Sequence, residues 1–171
     1  MAEDSIAAET PEQPPPKAPD RVFLVVIDDT PELNVALLYA CRRAWNTGGR
    51  VALLHVVEEN EVSPFAGVER LMEEESRQAA EQLMQKMATQ VQKWSGAMPV
   101  LYFRQGNRRD EVLKLMQEEP SISILVLGAA ITGKGPGPLV QALTGKFVGK
   151  LRVPITIVPG NLTEAEIEKI A

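Results

Sequence analysis

Three apolar runs, "RVFLVVI" (21–27), "RVALLHVV" (50–57) and "ISILVLG" (122–128), are nearly continuous rather than alternating. A strand with one wet face alternates apolar and polar side chains. A run without alternation has to be covered on both faces, which is the situation of a parallel sheet held between two layers of helices. Two further short, β-branched runs, "PVLYFR" (99–104) and "PITIV" (154–158), complete a set of five strands.

The segments between them carry helical periodicity. Thr30 and Pro31 form a start signal, with Thr30 at the N-cap and Pro31 at the first helical position. Leu33, Ala36, Leu37, Ala40, Cys41 and Ala44 then line one face, and Gly48-Gly49 ends the helix. A second helix places Val68, Leu71, Met72, Ala79, Leu83, Met87, Val91 and Trp94 on one face, with its methionines as core filling. Glu69, Glu73, Glu74, Glu75 and Glu81 form its solvated face. Residues 107–119 and 139–150 supply two more helices, and 163–170 a short terminal one.

Strands alternating with helices define an α/β chain with an open, mostly parallel sheet and helices on both faces. Right-handed crossovers leave flavodoxin-like and related winding orders, of which 3-2-1-4-5 is expected here. Ligands of such sheets sit beyond the carboxyl ends of the strands, where the winding reverses. In this order that point lies between strands 1 and 4. It brings "IDDTPE" (27–32) to face "LVLGAAITGKGPGPLV" (125–140).

The net charge of -5 is unevenly placed. Residues 1–20 hold Glu3, Asp4, Glu9, Glu12 and Asp20 against Lys17, which leaves only -1 on the body. Such a body lacks the basic footprint of a nucleic-acid binder. With Pro11, Pro14, Pro15, Pro16 and Pro19 and little to bury, residues 1–20 read as a disordered acidic tail ahead of one domain over 21–160 and a helix over 161–171. No apolar run reaches the length of a membrane span, and no basic stretch precedes an apolar core, so a cytoplasmic protein is expected. Cys41 is the single cysteine, which excludes an internal disulfide, and its place on an apolar helix face makes it inert core.

Gly128 to Lys134 spell G-x-x-x-x-G-K, the outline of a hydrolase phosphate loop. That chemistry needs Ser or Thr after the lysine to hold magnesium, but Lys134 is followed by Gly135. It also needs a helix to open at the lysine, and "GPGP" (135–138) delays the helix to about Pro138.

In order and spacing, the chain over 21–158 resembles the universal stress protein family. The resemblance rests on "VVID", "LLHVVE", the glycine in "RQGNRRDEVL", "SILVLG" with its glycine-rich loop, and "VPITIVP". It implies a fold like that of the adenine-nucleotide alpha-hydrolases. It also implies an ATP site built from a glycine, two residues, a glycine, nine residues, then a glycine and a hydroxyl residue. Those positions fall on Gly128, Ile131, Gln141 and Ala142, so the first alone matches. The aspartate after strand 1, Asp28, and the backbone at Val56 and Val57 are kept. Ile131 resists the backbone a glycine allows, Gln141 adds bulk, and Ala142 lacks a hydroxyl. Gly133, Lys134, Gly135, Thr144 and Lys146 could rebuild a cradle in another register.

The candidate nucleotide crevice is therefore Asp28, Val57, Gly128, Gly133, Gly135 and Thr144, with no catalytic and no metal-ligating residue assigned. Asp28 and Asp29 could hold magnesium at a phosphate, and Asp29 could instead simply support the helix start beside Thr30. His55, inside an apolar strand, reads as structural, and no Ser or Cys nucleophile is placed beside it. Arg104, Arg108 and Arg109 could reach an anion at the rim, although Arg108 and Arg109 read as solvated near a helix start. The leading expectation is a non-catalytic stress-response module with weak or no ATP binding and no certain cofactor. It would be homodimeric through strand 154–158, which the resemblance also implies, with a protein partner the sequence does not name. One alternative is an ATP-binding regulator using residues 128–137. Another is a slow nucleotide hydrolase at the same crevice.

Overall fold

A computed structural model describes residues 21–58 and 66–171. The expected tail over 1–20 lies outside the described residues. Strands β1 (Val22–Ile27), β2 (Arg50–Val57), β3 (Val100–Gln105), β4 (Ile122–Ala129) and β5 (Ile155–Pro159) form one sheet in the order β3-β2-β1-β4-β5. All neighbouring pairs run parallel. Helices α1 (Glu32–Thr47), α2 (Ala66–Ser95), α3 (Arg108–Glu118) and α4 (Pro138–Thr144) lie between successive strands, and α5 (Glu164–Ile170) follows β5. The winding order and the two helical layers expected from the unbroken apolar runs are both present. No helix among the described residues is long and apolar enough to cross a membrane.

Because successive strand residues face opposite ways, the central strands feed two cores. Val22, Leu24 and Val26 join Leu54, Leu125 and Leu127 beneath Val112, Leu115 and Met116 of α3 and Leu143 of α4. Phe23, Val25 and Ile27 join Leu53 and Val126 beneath Leu37 and Cys41 of α1 and Met84 and Val91 of α2. The β1–β4 register slips once, with Val22 opposite Ile122 and Phe23 opposite Ile124. Ser123 is the extra residue of this bulge, and its hydroxyl accepts the Val22 N–H at 3.3 Å. A backbone donor that the slip would strand is thereby satisfied.

Two helices depart from the sequence expectation. Residues 139–150 do not form one helix: α4 ends at Thr144, Gly145 adopts φ -102 and ψ -115, and a 3-10 turn follows at Val148–Lys150. Gly145 and Gly149 lie four apart in this stretch, and each weakens a helix by its backbone freedom. Helix α2 spans 30 residues, about 45 Å, and overhangs the sheet it covers. Ala80, Met84, Met87, Ala88 and Val91 are buried, whereas Leu71 is 67% and Met72 39% exposed. Ala79 is exposed as well. The apolar face expected to run from Val68 therefore has a core partner only in the helix's second half. The side chains of Val68 and Glu69 lie outside the described ones.

Two end devices fasten the C-terminal region. Arg152 donates from Nε to the Met116 carbonyl at 2.8 Å, and from its terminal nitrogen to the Glu119 and Ile122 carbonyls at 3.3 Å. A cation thus sits where the C-terminal carbonyls of α3 gather. Helix α5 opens with a capping box between Thr163 and Glu166, and it docks on α1 through Arg42, which pairs with Glu168 and, at 3.8 Å, with Glu164.

Cys41 is fully enclosed, and burial pushes its thiol up to about 12, against a smaller opposing pull from Arg42. The folded state disfavours the thiolate. Its contribution to stability is intact below the unfolded thiol's value of about 8.5 and is lost as pH rises towards the folded value. A thiol-reactive chromophore at pH 8 is expected to leave the native protein unlabelled and to label one thiol per chain in guanidinium. Rapid native labelling would contradict the buried placement.

Candidate functional site

The loop after β1 is organised by Asp28. Its Oδ1 accepts the Thr30 N–H at 3.1 Å and the Thr30 hydroxyl at 2.6 Å, forming an Asx turn. Thr30 therefore does not cap α1. Pro31 takes the cap position with no side-chain bond, and the helix begins at Glu32. The helix start thus falls one residue later than expected, with the Thr30 side chain bonded back to Asp28. Asp29 is exposed, and it is Asp28 that supports the helix start.

The first turn of α1 lies in a slot between two glycines. A Cβ on Gly128 would stand 2.7 Å from the Glu32 carbonyl oxygen and 2.8 Å from its Cβ. One on Gly160 would stand 2.6 Å from Glu32 Cγ and 3.0 Å from the Ala129 carbonyl oxygen. The space left by the missing side chain of Gly128 is thus occupied by the protein's own helix.

Beyond β4 the chain arches through residues 130–137 and is closed by an Ala130 N–H bond to the Pro136 carbonyl at 3.2 Å. Gly133, Gly135 and Gly137 have φ of 88, 125 and 109, values that side chains resist. Ile131, Thr132 and Lys134 are exposed along the arch. Gln141 leans on it from α4, its Nε2 only 2.5 Å from where a Cβ on Gly135 would be.

Where β1 and β4 part, a cavity of about 130 Å³ opens. It is lined by Asp28, Thr30 and Glu32 on one side, by Gly128 and Gly137 on the other, and by Arg108 from α3. It is smaller than the roughly 300–1,000 Å³ of pockets for drug-sized ligands. Of the crevice residues read from sequence, Asp28 and Gly128 line it, and Val57, Gly133, Gly135 and Thr144 do not. The Val57 carbonyl accepts the Gly106 N–H at 2.9 Å. The Thr144 hydroxyl donates to the Val140 carbonyl of its own helix at 2.7 Å. Lys146 lies 5.8 Å from the Phe147 ring centre. His55 is half-buried within β2, in register with Ile27 and Phe103.

The three arginines have different fates. Arg104 pairs with Glu118 at 2.6 Å. Arg109 donates to Asp110 at 2.8 Å and stacks 4.1 Å above the Phe147 ring. That hydrogen bond holds the Asp110 carboxyl below its usual range. Arg108, expected to be solvated, instead lines the cavity. Its terminal nitrogen is 3.8 Å from Glu58, and its Nε is shut off from solvent with no hydrogen-bond partner among the described residues. The signal was its place directly after Asn107, which caps α3 by accepting the Asp110 N–H at 3.2 Å and so starts the helix at the carboxyl end of the sheet.

A model of the universal stress protein family matches residues 21–159. No curated protein matches the chain. Among solved structures, the universal stress protein UspA from Lactobacillus plantarum superposes with a TM-score of 0.64 at 19% identity, over 82% of this chain and 99% of that one. Hypothetical protein MJ0577 does so with 0.61 at 20%, over 85% and 99%. A universal stress protein from Archaeoglobus fulgidus, in complex with dAMP, gives 0.53 at 14%, over 82% and 98%. At these identities the likeness establishes the fold.

Gly128→Ala is expected to destabilise the fold by about 1–3 kcal/mol, because the new methyl meets backbone and not a movable side-chain tip. Lys134→Ala, on the exposed arch, is expected to stay within about 0.5 kcal/mol of the parent. Denaturant titration of both variants checks this, and equal stabilities would remove the packing role assigned to Gly128.

Proposed function

The chain belongs to the universal stress protein family, and on that premise we propose that it is a non-catalytic, dimeric stress-response module whose crevice holds ATP weakly or not at all. The observation that carries this reading is the filled slot at Gly128, the first position of the family's glycine pattern. Gln141, at the third glycine position, leans on the arch at Gly135, and Ala142 offers no hydroxyl. A hydrogen bond lost to a charged group costs about 1.5–3 kcal/mol. Two such losses weaken binding by about a hundredfold or more. Asp28 and Glu32, two acidic residues, are among those lining the cavity, where a triphosphate would have to lie.

A second reading, an ATP-binding regulator, draws support from the left-handed Gly133, Gly135 and Gly137 and the exposed Lys134. The dAMP complex of the Archaeoglobus fulgidus protein supports a nucleotide crevice in a protein of this fold. The two readings differ in affinity. Calorimetry with ATP and magnesium at micromolar concentrations is expected to give no signal. Ile131→Gly, Gln141→Gly and Ala142→Ser together are expected to raise affinity, and Asp28→Ala to remove the gain. Tight ATP binding by the parent would favour the regulator.

Dimerisation is supported by β5, the last strand of the sheet, which has no neighbour beyond it among the described residues. Ile157 on this strand is 41% exposed, and α5, which could have shielded the edge, is docked on α1 with Ile167 buried. An unpaired apolar edge favours strand addition by a second chain. Sedimentation at micromolar concentration is expected to show a dimer, and Ile157→Lys a monomer. A monomeric parent would count against the pairing.

A further inference from the structure

We propose that the exposed surface of Trp45, Gly96 and Met98, at the amino end of the sheet, is the docking site of this chain's own proline-rich segment, residues 11–19. Trp45 stands in the last turn of α1 and is 65% exposed, and Met98, which leads into β3, is 55% exposed. The six-membered ring of the indole rests against Gly96, where a Cβ would stand 2.8 Å from Trp45 Cζ3. Gly96 follows the end of α2 with a left-handed φ of 73. The indole is thus seated on backbone and held at the surface, so little ordering is left to be done when a partner covers it.

Tether, chemistry and charge select the occupant. The chain before residue 21 joins the body beside this surface: the Arg21 carbonyl accepts the Arg50 N–H at 2.7 Å. A Cβ on Gly49 would lie 2.5 Å from that carbonyl oxygen and 3.2 Å from Thr47 Oγ1, and Trp45 is two residues before Thr47 at the same helix end. Pro14, Pro15 and Pro16 precede Arg21 by five to seven residues, a span of about 15–22 Å at 3.1 Å per residue, enough to bring them over the indole. Proline rings pack on aromatic side chains, and a φ already fixed lowers the ordering cost of docking. Residues 1–20 hold five acidic residues against Lys17. Arg21, Arg50 and Lys93 are exposed at this end of the body, with no ion-pair partner among the described residues. Screened charges of this kind steer the segment to the surface, and the contact with the indole holds it there.

Limited trypsin digestion of the full chain reads the docking, because the bond after Lys17 lies inside the segment. Trp45→Ala is expected to speed cleavage there by about five- to tenfold, the loss of one aromatic anchor when cleavage follows the undocked fraction. Trp94→Phe leaves Trp45 as the sole tryptophan. In that background, Pro14→Ser, Pro15→Ser and Pro16→Ser together are expected to raise acrylamide quenching of Trp45 by about twofold or more, as the indole returns to solvent. Circular dichroism checks that each variant folds, and if Trp94→Phe does not, the digestion alone decides. Equal cleavage after Lys17 in the parent and in Trp45→Ala would overturn the docking, as would quenching that ignores the proline replacements. Protection that grows with protein concentration would assign the segment to a second copy and overturn docking within one chain.

Discussion

The contact of the first turn of α1 with Gly128 and Gly160 is the constraint around which the carboxyl end of the sheet is arranged. Any side chain at either glycine would drive Glu32 away from the end of β4. With Glu32 seated, Leu33 and Ala36 reach the core under the sheet, and the Asp28–Thr30 turn fits the short gap between β1 and α1. Interiors pack too densely for such a contact to loosen without moving its neighbours. A glycine at this position thus follows from helix–strand packing, whether or not a phosphate ever approaches it.

The same contact fixes the chemistry of the crevice. It brings the Glu32 residue to the cavity wall next to Asp28, across from the glycine arch. Phosphate-binding loops work by presenting backbone amides in an electropositive setting. Here Asp28, Glu32 and Arg108 are among the residues that line the cavity, and Gln141 is packed against the arch.

Much of the fold could be read from the sequence because its strongest signals are local. The unbroken runs of β1, β2 and β4 required cover on both faces, and the burial of Val22–Ile27 shows that cover. The left-handed Gly48 ends α1 where the glycine pair placed it. What escaped depends on where an element stops finding partners. Periodicity put Leu71 and Met72 on the core face of α2, but the sheet ends before they reach it. The glycines of "TGKFVGK" broke a helix that periodicity alone would continue. In the crevice, Asp28 and Gly128 followed from the winding order. Arg108 did not, because two adjacent arginines at a helix start look equivalent until one stacks on Phe147 and the other turns inward.

Mass spectrometry of small molecules released from natively purified protein tests most directly whether this crevice has lost its grip on a triphosphate. Protein free of ATP is the expected result, because a site weakened by the proposed factor of about a hundred or more empties during purification. ATP recovered at close to one molecule per chain would contradict it and would assign the arch of Gly133, Gly135 and Gly137 a phosphate-binding role.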